Sequence, residues 1–415
     1  MADVIKLINI SAVSLFGRDF GVFQKTYSSH PDFTYFRIFQ KRNAKTLTDI
    51  PSNIFEHFHT IGTFGDAVPC GSGHIHTTIL LKTIEAGGPD YILQKINQHV
   101  FPDVELLMKN IGLVTEYLKR KQTGNDEFKV MELVPTKIGK FYHIDDGGNY
   151  WRMFVNIEGS HTYDVVREPK MAYEAGRAFG HFMFTLADFP VHKLRPVIPD
   201  FHSIAKRFHD FEKVLLNDPF KRMHTAQPEI GQVYANLDEM MIIPELEHQG
   251  KFPLRVTHND TKINNVLFNP PGKAICVIDL DTVMPGLSLY DFGDAIRTAA
   301  ATAAEDEPDL AKMRIDLKIF EAFAKGYLEK TRFILTKDEI DYLAFSCRYV
   351  TFLQAIRFLT DYLEGDKYYK TAYENHNLVR ARAQFKLAMM IKNQLTNMKG
   401  IVQSLLKNPT SFKSG

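Results

Sequence analysis

The hydrophobic and polar positions of this chain fall into two regimes. Between about residues 54 and 158, "TTILLKTI" and "YILQKIN" flank the turn signal "EAGGPD", and "KFYHI" and "YWRMFVNI" flank "DDGGN". Short runs of β-branched and aromatic residues bounded by Gly, Pro, Asp and Asn predict strands. One segment breaks the pattern: Val104, Leu107, Met108, Ile111, Val114 and Leu118 recur at helical spacing, which predicts a helix from about Asp103 to Lys121. From about residue 168 onward helical spacing prevails. It is interrupted between 254 and 290, where "PLRVTHND", "NVLFN" and "AICVIDLDT" predict short strands and loops. The predicted class is α+β: a strand-rich N-lobe over 54–160 with one main helix, then a larger, mostly α-helical C-lobe over 161–415. Residues 1–53 form an N-terminal extension whose pattern assigns it no role.

Composition narrows the classes. With 415 residues, 45% of them hydrophobic, the chain can bury more than one packed unit. Its formal charge of +1 gives no broad field to draw nucleic acid or an anionic membrane, so any bound phosphate must be held locally. Cys70, Cys276 and Cys347 lie far apart and form no CxxC or zinc-type spacing, which points to a reducing, cytoplasmic setting. No apolar run approaches the roughly 20 residues of a membrane-spanning helix. The opening "VIKLINISAVSLF" lacks the basic start and cleavage site of a secretory signal.

The chemistry concentrates in the strand island. "THNDTKINNVLF" sets His258, Asp260 and Asn265 in the order of a kinase catalytic loop: His, any residue, Asp, four residues, Asn. That order puts a carboxylate where it can orient an attacking hydroxyl or take its proton, and an amide five positions on where it can turn back to a phosphate-bound magnesium ion. Lys262, two residues after Asp260, is positioned to approach the transferred phosphoryl group. Asp279 ends a strand-like run 19 residues beyond Asp260, where a second magnesium ligand is expected. Asp291, in the kinase-like triplet Asp291-Phe292-Gly293, follows the turn-like "MPGLS" and is the poorer choice of metal ligand.

The set "HNDTKINNVLF", "VIDLDT" and "LYDFGDAIR" resembles the aminoglycoside phosphotransferase and choline kinase group of small-molecule kinases, whose fold is bilobal and protein-kinase-like. The resemblance implies Asp260 as catalytic base, Asn265 and Asp279 as Mg²⁺ ligands, Asp281 as a secondary ligand or support, and His258 and Asp291 as structural. Within the group, "CGSGHIHTT", "YILQKIN", "RFLTDYLEGDKYY" and "HNLVRARAQFKL" are similar to bacterial N-acetylhexosamine 1-kinases. This implies an ATP-dependent enzyme that phosphorylates the anomeric hydroxyl of a sugar, with no nucleic-acid or membrane partner.

The ATP-side parts follow from kinase chemistry. Gly71 and Gly73, entering a strand, can bring backbone amides to phosphates because glycine has no side chain in the way. Lys95 on the next strand is the expected phosphate cation, with Lys82 its competitor. Glu116 is preferred over Glu105 as the carboxylate that pairs with it from the helix. Other readings stay open: a choline, amino-alcohol or aminoglycoside acceptor; a non-catalytic kinase-like module; a zinc hydrolase using His74 and His76; a glycosyltransferase gripping metal through Asp279 and Asp281. Arg297, Arg357 and Arg382 are as able to pair with carboxylates as to touch substrate.

Overall fold

The computed structural model describes residues 49–70, 75–124 and 126–408. A five-stranded antiparallel sheet has the order β1-β2-β3-β5-β4. Its strands are β1 (Phe64–Pro69), β2 (Thr77–Thr83), β3 (Tyr91–Lys95), β4 (His143–Ile144) and β5 (Tyr150–Val155). Side chains alternate between faces along a strand, so the register carries consequences. It sets Ile79, Leu93 and Met153 side by side on one face and Thr78, Gln94 and Arg152 on the other.

A short helix, α1 (Asp49–Phe55), serves the first face, its Phe55 ring 5.8 Å from that of Tyr91. This helix falls at the end of the expected extension. Seven residues containing Pro51 are too few to carry a visible helical period. The second face looks toward α2 (Val104–Lys121), whose first turn is capped by Asp103 Oδ1 accepting from the Leu106 amide at 2.9 Å. Leu107, Ile111 and Val114 of this helix are fully buried.

The rest of the chain is helical around a strand island. The helix α3 (Pro169–Thr185) pairs closely with a later helix, Leu317–Thr331. Glycine makes that approach possible: a Cβ on Gly176 would lie 2.2 Å from the Phe323 carbonyl oxygen, and one on Gly326 2.1 Å from that of Tyr173. Next come α4 (Ile204–Asn217), α5 (Gln227–Met240) and α6 (Ile242–His248). In the island, β6 (Arg255–Thr257) pairs with β9 (Met284–Gly286), and β7 (Val266–Phe268) with β8 (Ala274–Val277). The expected turn "MPGLS" is therefore strand over its first three residues. Beyond it lie α7 (Ser288–Ala299), α8 (the Leu317–Thr331 helix), α9 (Lys337–Leu363) and α10 (His376–Lys407). α9 starts with a capping box of Thr336 and Glu339 and is buried around most of its circumference.

Candidate active site

The segment from His258 to Asn265 runs between β6 and β7, and its backbone is fixed by α7. Asp291, in the first turn of α7, accepts the amide N–H groups of His258 at 2.9 Å and Asn259 at 2.7 Å through its two carboxylate oxygens. The Thr261 hydroxyl donates to the Asp291 carbonyl at 2.6 Å. Asn259 adopts a left-handed conformation, φ 65°. Its side-chain amide donates to the Thr257 hydroxyl and the Thr282 carbonyl, each at 2.9 Å. Such a conformation disfavours most side chains and persists where surrounding bonds dictate it. Burial pushes the Asp291 carboxyl up to about 6, against the attraction of His258 and the two amides. Asp291-Phe292-Gly293 is helical, and Gly293 is a packing residue: a Cβ there would lie 2.5 Å from the Ser346 carbonyl oxygen of α9.

This frame holds Asp260 beside two partners. Lys262 Nζ lies 2.9 Å from one of its carboxylate oxygens, and Asn265 Nδ2 donates to the other at 3.1 Å and to the Asp260 carbonyl at 2.8 Å. Burial alone would push the carboxyl up. The Lys262 ammonium, with help from His258 and Asn265, holds it below the ordinary carboxylate value, so Asp260 is ionised at neutral pH. Lys262 is raised in turn, chiefly by Asp260. His258 Nδ1 accepts the Asp260 amide at 3.3 Å, which leaves Nε2 to donate to the Ile278 carbonyl at 2.9 Å.

Asn265 also anchors the second carboxylate, because its carbonyl accepts the Ile278 amide at 2.9 Å. Asp279 follows in a left-handed conformation, φ 61°, two residues past the end of β8. Its carboxyl is pushed up to about 7 by burial and then by the negative charges of Asp281 and Asp260. Excess negative charge of this kind fits a bound cation. Among the described residues no three His, Cys, Asp or Glu side chains gather as a metal site. The Asp279 carboxylate and the Asn265 amide oxygen are donors of the kind that would suit a hard divalent ion.

Asp281 has a different place. Arg152, 1% exposed, donates to both of its carboxylate oxygens, with Nη2 at 2.9 Å from Oδ2, and His76 Nε2 meets Oδ2 as well. Gln94 Oε1 accepts Arg152 Nε at 2.9 Å, and the Asn97 amide donates to His76 Nδ1 at 3.0 Å. Burial would raise Asp281, yet Arg152 and then His76 hold it well below the usual carboxylate range. Both oxygens are engaged, so the structure does not offer Asp281 as a metal ligand. It joins the loop that bears Asp279 to strand β5, through Arg152 to Gln94 of β3, and to the residue that precedes β2. His76, with both nitrogens engaged, is likewise not placed as a zinc ligand.

Sequence reasoning missed Arg152. The signal was there: a single charge inside the apolar strand "YWRMFV" must find a partner if buried. Its partner lies 129 positions away and is visible only in the fold. Removing one member of a buried ion pair strands the other. Arg152→Met is therefore expected to destabilise the protein by about 3–5 kcal/mol, and Arg152→Met with Asp281→Asn to recover part of that loss. Urea unfolding of the two variants reads the difference; equal stability of the single variant and the unaltered protein would contradict the pair's structural role.

The ATP-side expectations fare unevenly. Gly71, Gly73 and His74 lie outside the described residues. Lys95 sits on β3 next to Gln94, and alternation turns it to the face opposite Gln94 and Arg152, away from Asp281. Glu116 is exposed on α2. Glu105 accepts the Tyr142 hydroxyl at 2.6 Å. No ion pair joins Lys95 to either glutamate among the described residues, so the structure does not assemble the expected pair. Lys82 is exposed.

Comparison with known proteins agrees with this architecture. The sequence model of the phosphotransferase enzyme family matches residues 66–328, and the chain belongs to that family. Solved structures share the fold at low identity. A microcompartment-associated aminopropanol kinase aligns at 16% identity and TM-score 0.58, over 84% of this chain and 98% of its own. An aminoglycoside phosphotransferase from Alicyclobacillus acidocaldarius aligns at 14% and 0.56, over 85% and 96%. An amicoumacin kinase in complex with AMP-PNP, Ca²⁺ and Ami aligns at 13% and 0.53, over 84% and 96%. The protein thus belongs to a phosphotransferase enzyme family and has the kinase-like α+β fold. None of these three is named for an N-acetylhexosamine, so they lend no support to that resemblance. No helix among the described residues is long and apolar enough to cross a membrane.

Proposed function

We propose that this protein is a cytoplasmic, ATP- and Mg²⁺-dependent kinase of a sugar hydroxyl, with the anomeric hydroxyl of an N-acetylhexosamine as acceptor. The observation that carries the phosphoryl-transfer part is the convergence of an ionised Asp260, Asn265 and a carboxyl pushed up to about 7 at Asp279, on a backbone fixed by Asp291. Residues 54–160 serve as the ATP-binding lobe and 161–415 as the catalytic and acceptor lobe. The sugar assignment rests on the sequence resemblance.

In this reading Asp260 orients the acceptor hydroxyl and takes its proton as the oxygen attacks. Lys262, 2.9 Å away, keeps Asp260 ionised between turnovers and adds positive charge beside the transferring group. Asn265 and Asp279 would hold Mg²⁺, which would supply charge neutralisation on the triphosphate. Asp281, Arg152 and His76 keep the Asp279 loop against the sheet. Positioning and charge stabilisation, without a covalent intermediate, account for the acceleration.

The test is ADP release from Mg-ATP over N-acetylglucosamine, N-acetylgalactosamine, glucose, galactose, choline and kanamycin. Selective release with the two N-acetylhexosamines is expected. Turnover of choline or kanamycin in their place would overturn the acceptor while leaving the phosphotransferase.

A further inference from the structure

Arg382, one of the three arginines singled out in the sequence, pairs with Glu229 at 2.9 Å. The pair stands in a cavity of about 360 Å³ bounded by α5, α9 and α10, a size within the range of small-molecule sites. Arg348, Lys386 and Lys392 line it as well. Glu239 of α5 meets Arg348 Nη1 and pairs with Lys392 at 3.0 Å. Lys386 is half-buried, and no ion pair joins it to a carboxylate among the described residues. Four cations against these two carboxylates leave an excess of two positive charges.

Two buried atoms of the lining also have no hydrogen-bond partner among the described residues. Arg348, 2% exposed, donates from Nη2 to Asn236 Oδ1 at 2.7 Å, while its Nε donates to nothing. Glu229, 5% exposed, accepts Arg382 Nε through Oε1, while its Oε2 accepts nothing. A buried donor and a buried acceptor left open are costly, so each requires a partner from outside the chain. Burial pushes Arg348 down to about 10, which leaves it charged at neutral pH. The two open groups lie at different levels of the cavity. Glu229 and Asn236, the residue that holds Arg348, are seven positions apart on α5, about 10 Å along the helix. Phe352 and Phe385, their rings 5.5 Å apart, supply the apolar wall.

This cavity is separate from the Asp260–Asp279 site and shares no lining residue with it. α9 stands between it and α7, the helix that fixes the catalytic loop. Ser346 of α9 packs against Gly293 of α7, and Arg348, two residues on, is turned about 200° round the helix from that contact. α10 divides in the same way: Gln384 accepts Arg297 of α7 at 3.4 Å, while Phe385 and Lys386 face the cavity.

We propose that the cavity is a second binding site, for a hydroxylated phosphate monoester of sugar-phosphate type, with its phosphate at Arg348 Nε and Lys386 and a hydroxyl donating to Glu229 Oε2. A phosphate monoester carries close to two negative charges at neutral pH, which matches the excess charge of the lining. Its oxygens accept charge-assisted hydrogen bonds from guanidinium and ammonium groups. A bare phosphate ion is too short to reach both open groups, and a simple carboxylate has half the charge. The phenylalanine wall takes the apolar face of the sugar ring. The inference goes beyond the phosphotransfer reading and does not depend on the acceptor assigned there.

Calorimetric titration at pH 7.5, with saturating Mg²⁺ and AMP-PNP in the catalytic cleft, tests the site with four probes: glucose 6-phosphate, N-acetylglucosamine 1-phosphate, methyl phosphate and glucose. A sugar phosphate is expected to bind, methyl phosphate more weakly because it lacks the hydroxyl arm, and glucose not at all. Lys386→Gln, which breaks no ion pair among the described residues, is expected to weaken the sugar phosphate about 10-fold or more, the scale of a lost hydrogen bond to a charged group. Arg348→Met should do the same, and Lys386→Gln decides the matter if that variant fails to fold. Lys399→Gln, an equal change of charge at an exposed position of α10, should leave the affinity as it is. Lys386-dependent binding that is tighter for N-acetylglucosamine 1-phosphate supports the site as one for the product of the proposed reaction; the opposite order supports it as one for a phosphate ester made elsewhere. Absence of Lys386-dependent binding by both sugar phosphates, or equal affinity for methyl phosphate, would overturn the proposal. Binding is read without turnover, so a failed kinase assay and a failed second site are told apart.

Discussion

Asp260→Asn is expected to lower kcat by about 10²–10⁴, the range carried by a positioned general base, with KM for ATP little changed. Asparagine matches the shape of aspartate. The Asn265 side-chain bond to the residue-260 carbonyl, 2.8 Å in length, does not depend on the carboxylate and survives. What disappears is the charge that Lys262 faces at 2.9 Å and the oxygen that takes the hydroxyl proton. The variant thus separates chemistry from fold: its melting temperature should stay close to that of the unaltered protein while turnover collapses. Steady-state rates with saturating Mg-ATP give the answer, and retention of more than about a tenth of kcat would remove Asp260 from the role of base.

Asp279→Asn is expected to abolish turnover and, in the metal-free protein, to raise thermal stability at pH 7.5. The sign follows from linkage. The carboxyl sits near 7 in the folded protein against 3.8 for the ordinary group. A raised carboxyl means the folded state binds this proton more tightly than the unfolded state. The group therefore imposes no penalty at a pH below the ordinary value. The penalty grows as pH rises toward 7 and is constant above. Asparagine removes it, so the variant's advantage should be present at pH 7.5 and fade toward pH 4. The same charge makes Mg²⁺ binding pH-dependent: the ligand is the carboxylate, so apparent Mg²⁺ affinity of the unaltered protein should climb between pH 6 and 8. Thermal melts at three pH values with and without Mg²⁺ test both statements. A variant less stable than the parent at pH 7.5 without metal, and still active, would contradict them.

Much of this geometry was legible in the chain, for identifiable reasons. The α2 helix declares itself through six apolar residues at helical spacing and an Asp103 cap. β2 and β3 follow from apolar runs around the "EAGGPD" turn. The segment from His258 to Asn265 is short in sequence and local in space, so residue order alone brings Asp260 and Asn265 to hydrogen-bond distance.

Features that depend on face or on distant pairing were not legible. Choosing Lys95 required knowing which face of β3 meets α2, and a shift of one position exchanges Lys95 for Gln94, which contacts Arg152. The Arg152–Asp281 pair joins a strand of the sheet to the loop after β8, and no local pattern announces it. Asp281 looked like a metal ligand because it stands two residues from Asp279; its carboxylate instead neutralises a buried arginine.

The most direct measurement is ³¹P NMR of the product formed from Mg-ATP and N-acetylglucosamine, with the Asp260→Asn variant in parallel. Besides the resonances of ADP, one new phosphate resonance, split by coupling to the anomeric proton and missing from the variant, is the predicted result. No sugar phosphate from the unaltered protein, phosphate on another hydroxyl, or the same product from Asp260→Asn would contradict the account.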